Sequence, residues 1–341
     1  MKSITIIGGG LAGLSLGIAL RRHGVPVTVR EAGRYPRHRV CGEFICGVPE
    51  ATLERLGVAE LLGGSALNRS TSWHRGNRRI FRADLPIPAR GISRYRLDNR
   101  LAQRLEATGG ILRTADRAGG DTFYSEGTVT ATGRGKGRSD WMALKIHLRD
   151  FRGLLEDLEM HLGDGAYVGV SRIEEGLVNL CGLFRRLPGL RATREELLFR
   201  YIEASGLPLL AERGRAAVTL PESFAASSGF DFPRGYHVDT SRLCIGDAAG
   251  MIPPFTGNGM SLALENAEIA LAPVLAYARG QTDWTTACSH SSHAARRRFH
   301  SRLRTANQVH SFLTDKKRRD LALALASIRL LPFRTLFRLL H

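Results

Sequence analysis

The sequence predicts an α/β protein: a Rossmann-like nucleotide-binding unit, an interleaved β-sheet part and a helical C-terminus. Three observations predict it. The β-branched run Ile4-Thr5-Ile6-Ile7 meets Gly8-Gly9-Gly10, and an apolar helical pattern follows. A second strand-to-glycine-loop passage, Leu243 to Met260, leads into another helix. From Ser261 onward helical periodicity dominates.

The opening unit comes first in the chain. Gly8, Gly10 and Gly13 fit G-x-G-x-x-G. Gly8 allows the tight turn, Gly10 clears the backbone for a pyrophosphate, and Gly13 lets the helix pack closely on the strand. The N–H groups of Leu11 and Ala12, with the positive end of the helix dipole, then face the phosphates. Leu14, Ile18 and Leu20 continue the helix, and His23-Gly24 ends it. Val25, Val27 and Val29 alternate as a second strand that stops at Glu31-Ala32. An acid about 20 residues past the glycines is placed to hold a ribose hydroxyl. This unit alone does not separate NAD from FAD, but Glu31 disfavours a 2′-phosphate.

Further along, Cys41 to Gly64 begins as a loop and turns helical. Ser70 to Ile92, rich in Arg, Trp, Pro and Gly, predicts short strands and turns. Leu97 to Ala107 predicts a helix, and Thr122 to Thr132 a strand leading into the loop Gly133 to Gly137. Tyr167–Ser171 and Leu177–Leu183 predict paired strands around the turn Glu175-Gly176. Arg194 to Ala204 predicts a helix. No internal repeat is present. His74, His147 and His161 read as isolated, with no partner at metal-ligand spacing, and no metal site is expected.

The second glycine passage settles which dinucleotide to expect. A strand, Leu243-Cys244-Ile245, runs into Gly246-Asp247-Ala248-Ala249. Pro253-Pro254-Phe255-Thr256 then leads to Gly257-Asn258-Gly259-Met260 at a helix start. Its N–H groups suit the electron-rich pyrimidine edge of a flavin, and Asp247 suits ribityl hydroxyls.

These residues resemble the second FAD motif of the flavoprotein monooxygenases of the p-hydroxybenzoate hydroxylase type, together with their geranylgeranyl reductase and flavin halogenase relatives. Arg39-Val40-Cys41-Gly42 resembles the Arg-x-Cys-Gly stretch of the reductase branch. Arg94-Tyr95-Arg96-Leu97-Asp98 resembles the Arg-x-x-Leu-Asp that opens a helix beside the flavin. The resemblance covers the chain to about Leu275. It implies FAD as cofactor, with Arg39, Gly42, Arg94, Pro254 and the Gly257–Met260 stretch contacting it. Residues 1–70, 93–155 and 236–282 then form the FAD-binding part, 71–92 and 156–235 the substrate part, and 283–341 a basic helical segment.

Two departures qualify the resemblance. The family's Asp-Gly after a mid-chain strand, associated with FAD and NAD(P)H contact, here reads Ala131-Thr132-Gly133-Arg134. This puts NAD(P)H in question as electron donor and makes a separate reductase, free reduced flavin or the substrate itself the expected source. The W-x-W-x-I-P signature of the halogenases is absent, and Trp141-Met142-Ala143-Leu144 does not replace it.

Composition bounds the rest. The chain has 341 residues, 43% of them hydrophobic and 24% charged, enough for a sizeable core and unlike a disordered chain. It enters a strand at once, so no signal peptide is expected. Five cysteines without a C-x-x-C predict a reducing, cytoplasmic setting with no disulfide framework or structural zinc. The net charge is +17, and from Thr285 to His341 twelve Lys/Arg stand against two Asp/Glu. Such a face meets an anionic lipid or an acidic carrier, or is a solvated helix surface; no nucleic-acid motif accompanies it. Leu321 to Ile328 is apolar but flanked by Arg329, Arg334 and Arg338 and followed by Pro332, so peripheral membrane contact is the most it allows.

The expected function is that of an FAD-dependent oxidoreductase: a monooxygenase acting on an apolar or aromatic small molecule, free or carrier-bound. The alternatives are a flavin-dependent double-bond reductase and a non-catalytic basic surface-binding protein on a flavin fold. No catalytic side chain is assigned, because in such chemistry the flavin performs the hard step.

Overall fold

In the computed structural model, residues 1–135, 137–232, 236, 238–315 and 333–340 are described. The chain opens with β1 (Ile4–Ile7), α1 (Leu11–Arg22) and β2 (Val27–Glu31). Leu11 to Leu20 of α1 are all buried, because the helix lies between its sheet and two further helices. β3 (Phe44–Ile45) and α2 (Glu50–Leu56) precede a long hairpin, β4 (Ala66–Arg75) and β5 (Arg78–Gly91). The sequence predicts only short strands there. Pro86 and Pro88 are tolerated because the β4/β5 register jumps between Asn68 and Ser70, which leaves them outside the paired positions.

α3 (Arg94–Ala107) is capped by Ser93, whose hydroxyl accepts from the Arg96 N–H. β6 (Ile111–Thr114) and β7 (Thr128–Thr130) follow, the latter much shorter than the strand expected over 122–132. Next come β8 (Trp141–Arg149), β9 (Leu158–Gly163), β10 (Ala166–Arg172) and β11 (Val178–Arg185), then α4 (Arg194–Ala204), α5 (Pro208–Ala216), β12 (Val218–Ser228) and β13 (Leu243–Cys244). α6 (Gly259–Ala278), α7 (Trp284–Thr314) and α8 (Phe333–Leu340) complete the described chain. The apolar stretch Leu321–Ile328, with Arg329 and Pro332, lies outside the described residues, as does Lys136. No helix among the described residues is long and apolar enough to cross a membrane.

Two sheets result. The first has the order β13-β7-β1-β2-β6, every pair parallel. Strand order reverses at β1/β7, and ligands of such sheets bind outside the strands' carboxyl ends at that point. The second sheet has the order β12-β8-β11-β10-β9-β4-β5-β3. It takes in β8, which lies within the 93–155 stretch given to the FAD-binding part from sequence. One face of this sheet buries Leu144, Ile146, Val168 and Leu180 against Leu198, Phe199 and Leu210 of α4 and α5. The alternate residues of the opposite face include Ser171 and Asn179, which reach the loop after β2. Ser171 Oγ donates to Gly42 O at 2.9 Å, and Asn179 Nδ2 to Cys41 O at 3.0 Å. The second sheet thereby clamps the loop that follows β2.

Candidate active site

The first glycine loop separates into two kinds of glycine. Gly8 has φ +111°, and a Cβ there would lie 2.2 Å from Ala131 O. A Cβ on Gly13 would lie 2.1 Å from Gly8 O. Both are required by packing. Among the described residues, nothing lies within 4 Å of the Gly10 Cβ position. Gly10 is the N-cap of α1 and no side chain caps that helix, so the first N–H groups open into free space.

Glu31 lies beside this loop, 5% exposed. Its carboxylate accepts from Gly9 N at 2.8 Å, Gly33 N at 2.7 Å and Arg37 Nη2 at 2.7 Å. Burial opposes its charge, but the Gly33 N–H, Arg37 and Arg39 outweigh burial and hold the carboxyl below the usual range. Arg39 donates through Nε to Asp98 at 3.0 Å; its Nη2 is buried, makes no hydrogen bond among the described residues and sits 3.6 Å from Glu31. Arg94 grips the same Asp98 through two bonds of 2.8 Å. Asp98, fully buried, thus orients both arginines, a role not assigned from sequence.

The second loop mirrors the first. Gly246 has φ +63° and Gly257 φ +68°, while Gly259 has nothing within 4 Å of its Cβ position. No side chain caps α6. The Asp247 carboxylate makes no hydrogen bond among the described residues; burial raises its pKa against the pull of Arg94 and Arg134.

Both loops open into one cavity of about 930 Å³. Fifteen of the seventeen residues singled out from sequence line it: Gly8, Gly10, Leu11, Ala12, Glu31, Ala32, Arg39, Gly42, Arg94, Gly246, Asp247, Pro254, Gly257, Gly259 and Met260. Gly13 and Asn258 do not. Gly13 serves helix packing, and Asn258, fully buried, donates to Leu340 O at the end of α8.

A smaller cavity of about 110 Å³ adjoins the larger one and shares Gly42 and Phe44 with it. Its other walls include Thr71, Trp73, Met160, Phe255 and Phe337. Glu159 also borders it, but Leu158 and Met160 face the cavity, and strand alternation turns the Glu159 side chain to the opposite face.

No family model and no curated protein sequence matches the chain. Solved structures do. Pseudomonas aeruginosa PqsL, in complex with 2-aminobenzoylacetate, superposes with a TM-score of 0.73 at 17% identity, over 93% of this chain and 97% of that one. The p-nitrophenol 4-monooxygenase PnpA from Pseudomonas putida DLL-E4 gives 0.72 at 16% identity, over 100% and 96%. Klebsiella pneumoniae HpxO, complexed with FAD and uric acid, gives 0.75 at 15%, over 99% and 96%. The chain has the fold of the FAD-dependent monooxygenases.

Within the monooxygenase fold, the structure corrects the reading of the three histidines. His147 Nε2 lies 2.5 Å from Glu43 Oε2, both buried. His74 and His161 are register partners on β4 and β9, with rings stacked 4.7 Å apart. His161 Nε2 meets Glu159 at 2.9 Å, and His74 Nε2 meets Ser72 Oγ at 2.7 Å. These pairings are set by sheet register, which sequence spacing does not display. Three ligand atoms from His74, Glu159 and His161 come within 4.8 Å of one another. The two rings stack nearly parallel, and Arg213 stands 4.0 Å from Glu159. The three side chains form a buried, hydrogen-bonded cluster.

Glu43, Lys145 and His38 were also missed. The signal was present in β8, where Lys145 and His147 occupy alternate positions on an inward face that begins with Trp141 and Ala143.

Proposed function

We propose that the chain binds FAD along the larger cavity and is a monooxygenase that inserts one oxygen atom from O2 into a compact apolar or aromatic molecule held in the smaller one. The observation that carries this reading is the pair of uncapped helix N-termini, α1 and α6, opening into one cavity that adjoins an apolar pocket. The donor set fits the cofactor: open space at Gly10 and Gly259, the unbonded Arg39 Nη2, and the unpartnered Asp247 carboxylate. When bound, FAD supplies the reaction with O2.

The residues take separate parts. Gly10 and the α1 N–H groups receive the pyrophosphate, and Glu31 accepts from ribose hydroxyls. Asp247 accepts from the ribityl chain, and the α6 N–H groups hold the pyrimidine edge of the flavin. Phe44, Trp73, Met160 and Phe255 exclude water from the reacting side and accept the substrate ring. An engineered apolar cavity of roughly 150 Å³ admits benzene. The smaller pocket therefore suits a single uncharged ring, for which Thr71 offers a hydroxyl. The small molecules in the PqsL and HpxO structures support that size class.

For the electron donor, a separate reductase or free reduced flavin fits better than direct NAD(P)H. Arg134, two residues after Thr132, is engaged by Ser227, Ser228 O and Gly229 O and lies 4.0 Å over the Phe230 ring. The exposed Arg296, Arg297 and Arg304 of α7 support contact with an anionic lipid surface or acidic carrier at low ionic strength. The test is oxygen uptake by reduced holoenzyme with candidate ring compounds under ¹⁸O2. One labelled oxygen in the product supports monooxygenation; product formed without O2 would indicate a double-bond reductase instead.

A further inference from the structure

Glu43 follows Gly42 in the cavity wall and has φ +58°, a left-handed backbone that costs a non-glycine residue free energy. Its side chain is fully buried. Three donors meet the carboxylate: Arg94 N at 3.0 Å and Lys145 Nζ at 3.0 Å on Oε1, and His147 Nε2 at 2.5 Å on Oε2. Burial opposes the charge, but Lys145 and His147 overcome it and bring the carboxyl down to about 2. Lys145 is 0% exposed and also reaches His38 Nδ1 at 3.3 Å. Glu43 O accepts from Ile92 N at 2.9 Å.

A buried ion pair contributes less to stability than an apolar pair of the same volume, while loss of one partner is severe. This pair spans the two halves of the molecule. Lys145 and His147 stand on β8 of the second sheet, and Glu43 belongs to the loop that lines the nucleotide cavity. Two ties to the carbonyls of Cys41 and Gly42 reinforce the connection.

We propose that the Glu43–Lys145 pair is a positioning device for the cofactor. It holds residues 38–43 in a strained, preformed path, so that Arg39, Gly42 and Arg94 face the cavity before the ligand arrives. The proposal rests on the FAD reading above. Lys145 itself does not line the larger cavity, so it acts through Glu43.

The titratable groups packed around Glu43 are His38, Arg39 and Cys41 of its own loop, Arg94 and Tyr95 of α3, Lys145 and His147 of β8, and Cys181 of β11. Burial keeps the two cysteines as thiols. Burial and Lys145 push His38 down to about 4, so it is neutral near pH 7. In Lys145→Met, docking of the loop would bury a carboxylate that has lost its ammonium partner and keeps only the Arg94 N–H and His147, so Glu43 takes up a proton on docking more readily than in wild type. His38, relieved of Lys145, gains a proton more readily and acts in the same direction.

The experiment is FAD binding to the apoprotein, read by quenching of free flavin fluorescence between about pH 5 and 8. Wild type is expected to show no change attributable to Glu43 across this range. Lys145→Met is expected to bind about ten- to hundredfold more weakly at the alkaline end, with the loss shrinking as pH falls. The double variant Glu43→Gln/Lys145→Met, which carries no charge at either position, is expected to recover most of the affinity with little pH dependence. Wild-type affinity in Lys145→Met would overturn the proposal. So would a pH-independent loss that the double variant does not repair, which marks a packing role only. Should Lys145→Met fail to fold by circular dichroism, Glu43→Gln alone gives the same comparison, its loss reversed in the double variant. Absence of FAD binding by wild type would instead refute the cofactor reading itself.

Discussion

The Phe44 ring fills the space that a side chain at position 257 would need: a Cβ on Gly257 would lie 2.1 Å from Phe44 Cε2 and Cζ. The second glycine loop therefore packs directly on the side chain that separates the two cavities. Gly257 also has φ +68°. Gly257→Ala combines left-handed strain with overpacking and is expected to cost about 2–4 kcal/mol of stability. Thermal unfolding of the variant measures this, and FAD affinity should fall with it. An unchanged melting temperature would mean that the loop and Phe44 adjust freely.

Asp247 faces the larger cavity without a hydrogen bond among the described residues. Asp247→Ala should bind FAD about ten- to hundredfold more weakly, the worth of a charge-assisted bond of roughly 1.5–3 kcal/mol. Asp247→Asn, which keeps an acceptor oxygen, should lose less. Equal FAD affinity in wild type and Asp247→Ala would remove this residue from the site.

Acid should destabilise the fold through buried histidines. His310 lies among Trp141, Tyr167, Phe232 and Phe255. Burial first, and Arg185 second, push its pKa from 6.5 down to about 4. Between those values the unfolded chain is protonated and the folded ring is neutral. The stability linked to this group is therefore complete above about pH 6.5 and falls away toward pH 4, by up to about 3 kcal/mol. His38 and His74, also held at about 4 by burial, act in the same direction. His310→Phe keeps the aromatic packing and removes one titrating group. Its melting temperature should decline less than that of wild type between those pH values; parallel curves would show that His310 does not carry the acid sensitivity.

Direct reduction by nicotinamide should be slow. Thr132 offers a neutral hydroxyl where the family resemblance would place a carboxylate, and Arg134 is already held by Ser227 and Phe230. Anaerobic stopped-flow bleaching of the oxidised flavin with NADH and NADPH, with and without candidate ring compounds, measures the rate. Fast saturable reduction by either nucleotide would overturn this reading of Thr132.

The site was legible in sequence where backbone chemistry demands one residue type. Gly8 is fixed by a positive φ and Gly13 by a 2.1 Å approach, conditions that favour glycine, while Gly10 keeps the space ahead of the α1 N-terminus open. Glu31 was legible because its distance along a βαβ unit is fixed by helix length. Glu43 and Lys145 were not, and Asp98 was legible as part of a motif but not as the acid that orients two arginines. A lone Lys or Glu reads as surface until sheet register brings it inside, and residues 43 and 145 meet only because β8 lies across the loop after β2. The hairpin β4/β5 was read too short because Pro86 and Pro88 count against a strand unless a bulge removes them from the ladder. The pairing of His74 with His161 depends on the parallel register of β4 and β9, which no local pattern encodes.

The central claim is that α1 and α6 open onto one flavin. Titration of the purified apoprotein with FAD, read by fluorescence quenching and the visible spectrum of the bound flavin, tests it most directly. The account predicts saturation at one FAD per chain, with binding weakened when Gly10 or Gly259 is replaced by a bulky valine that fills its open space. A folded protein that stays colourless and leaves flavin fluorescence unquenched at every FAD concentration would contradict it.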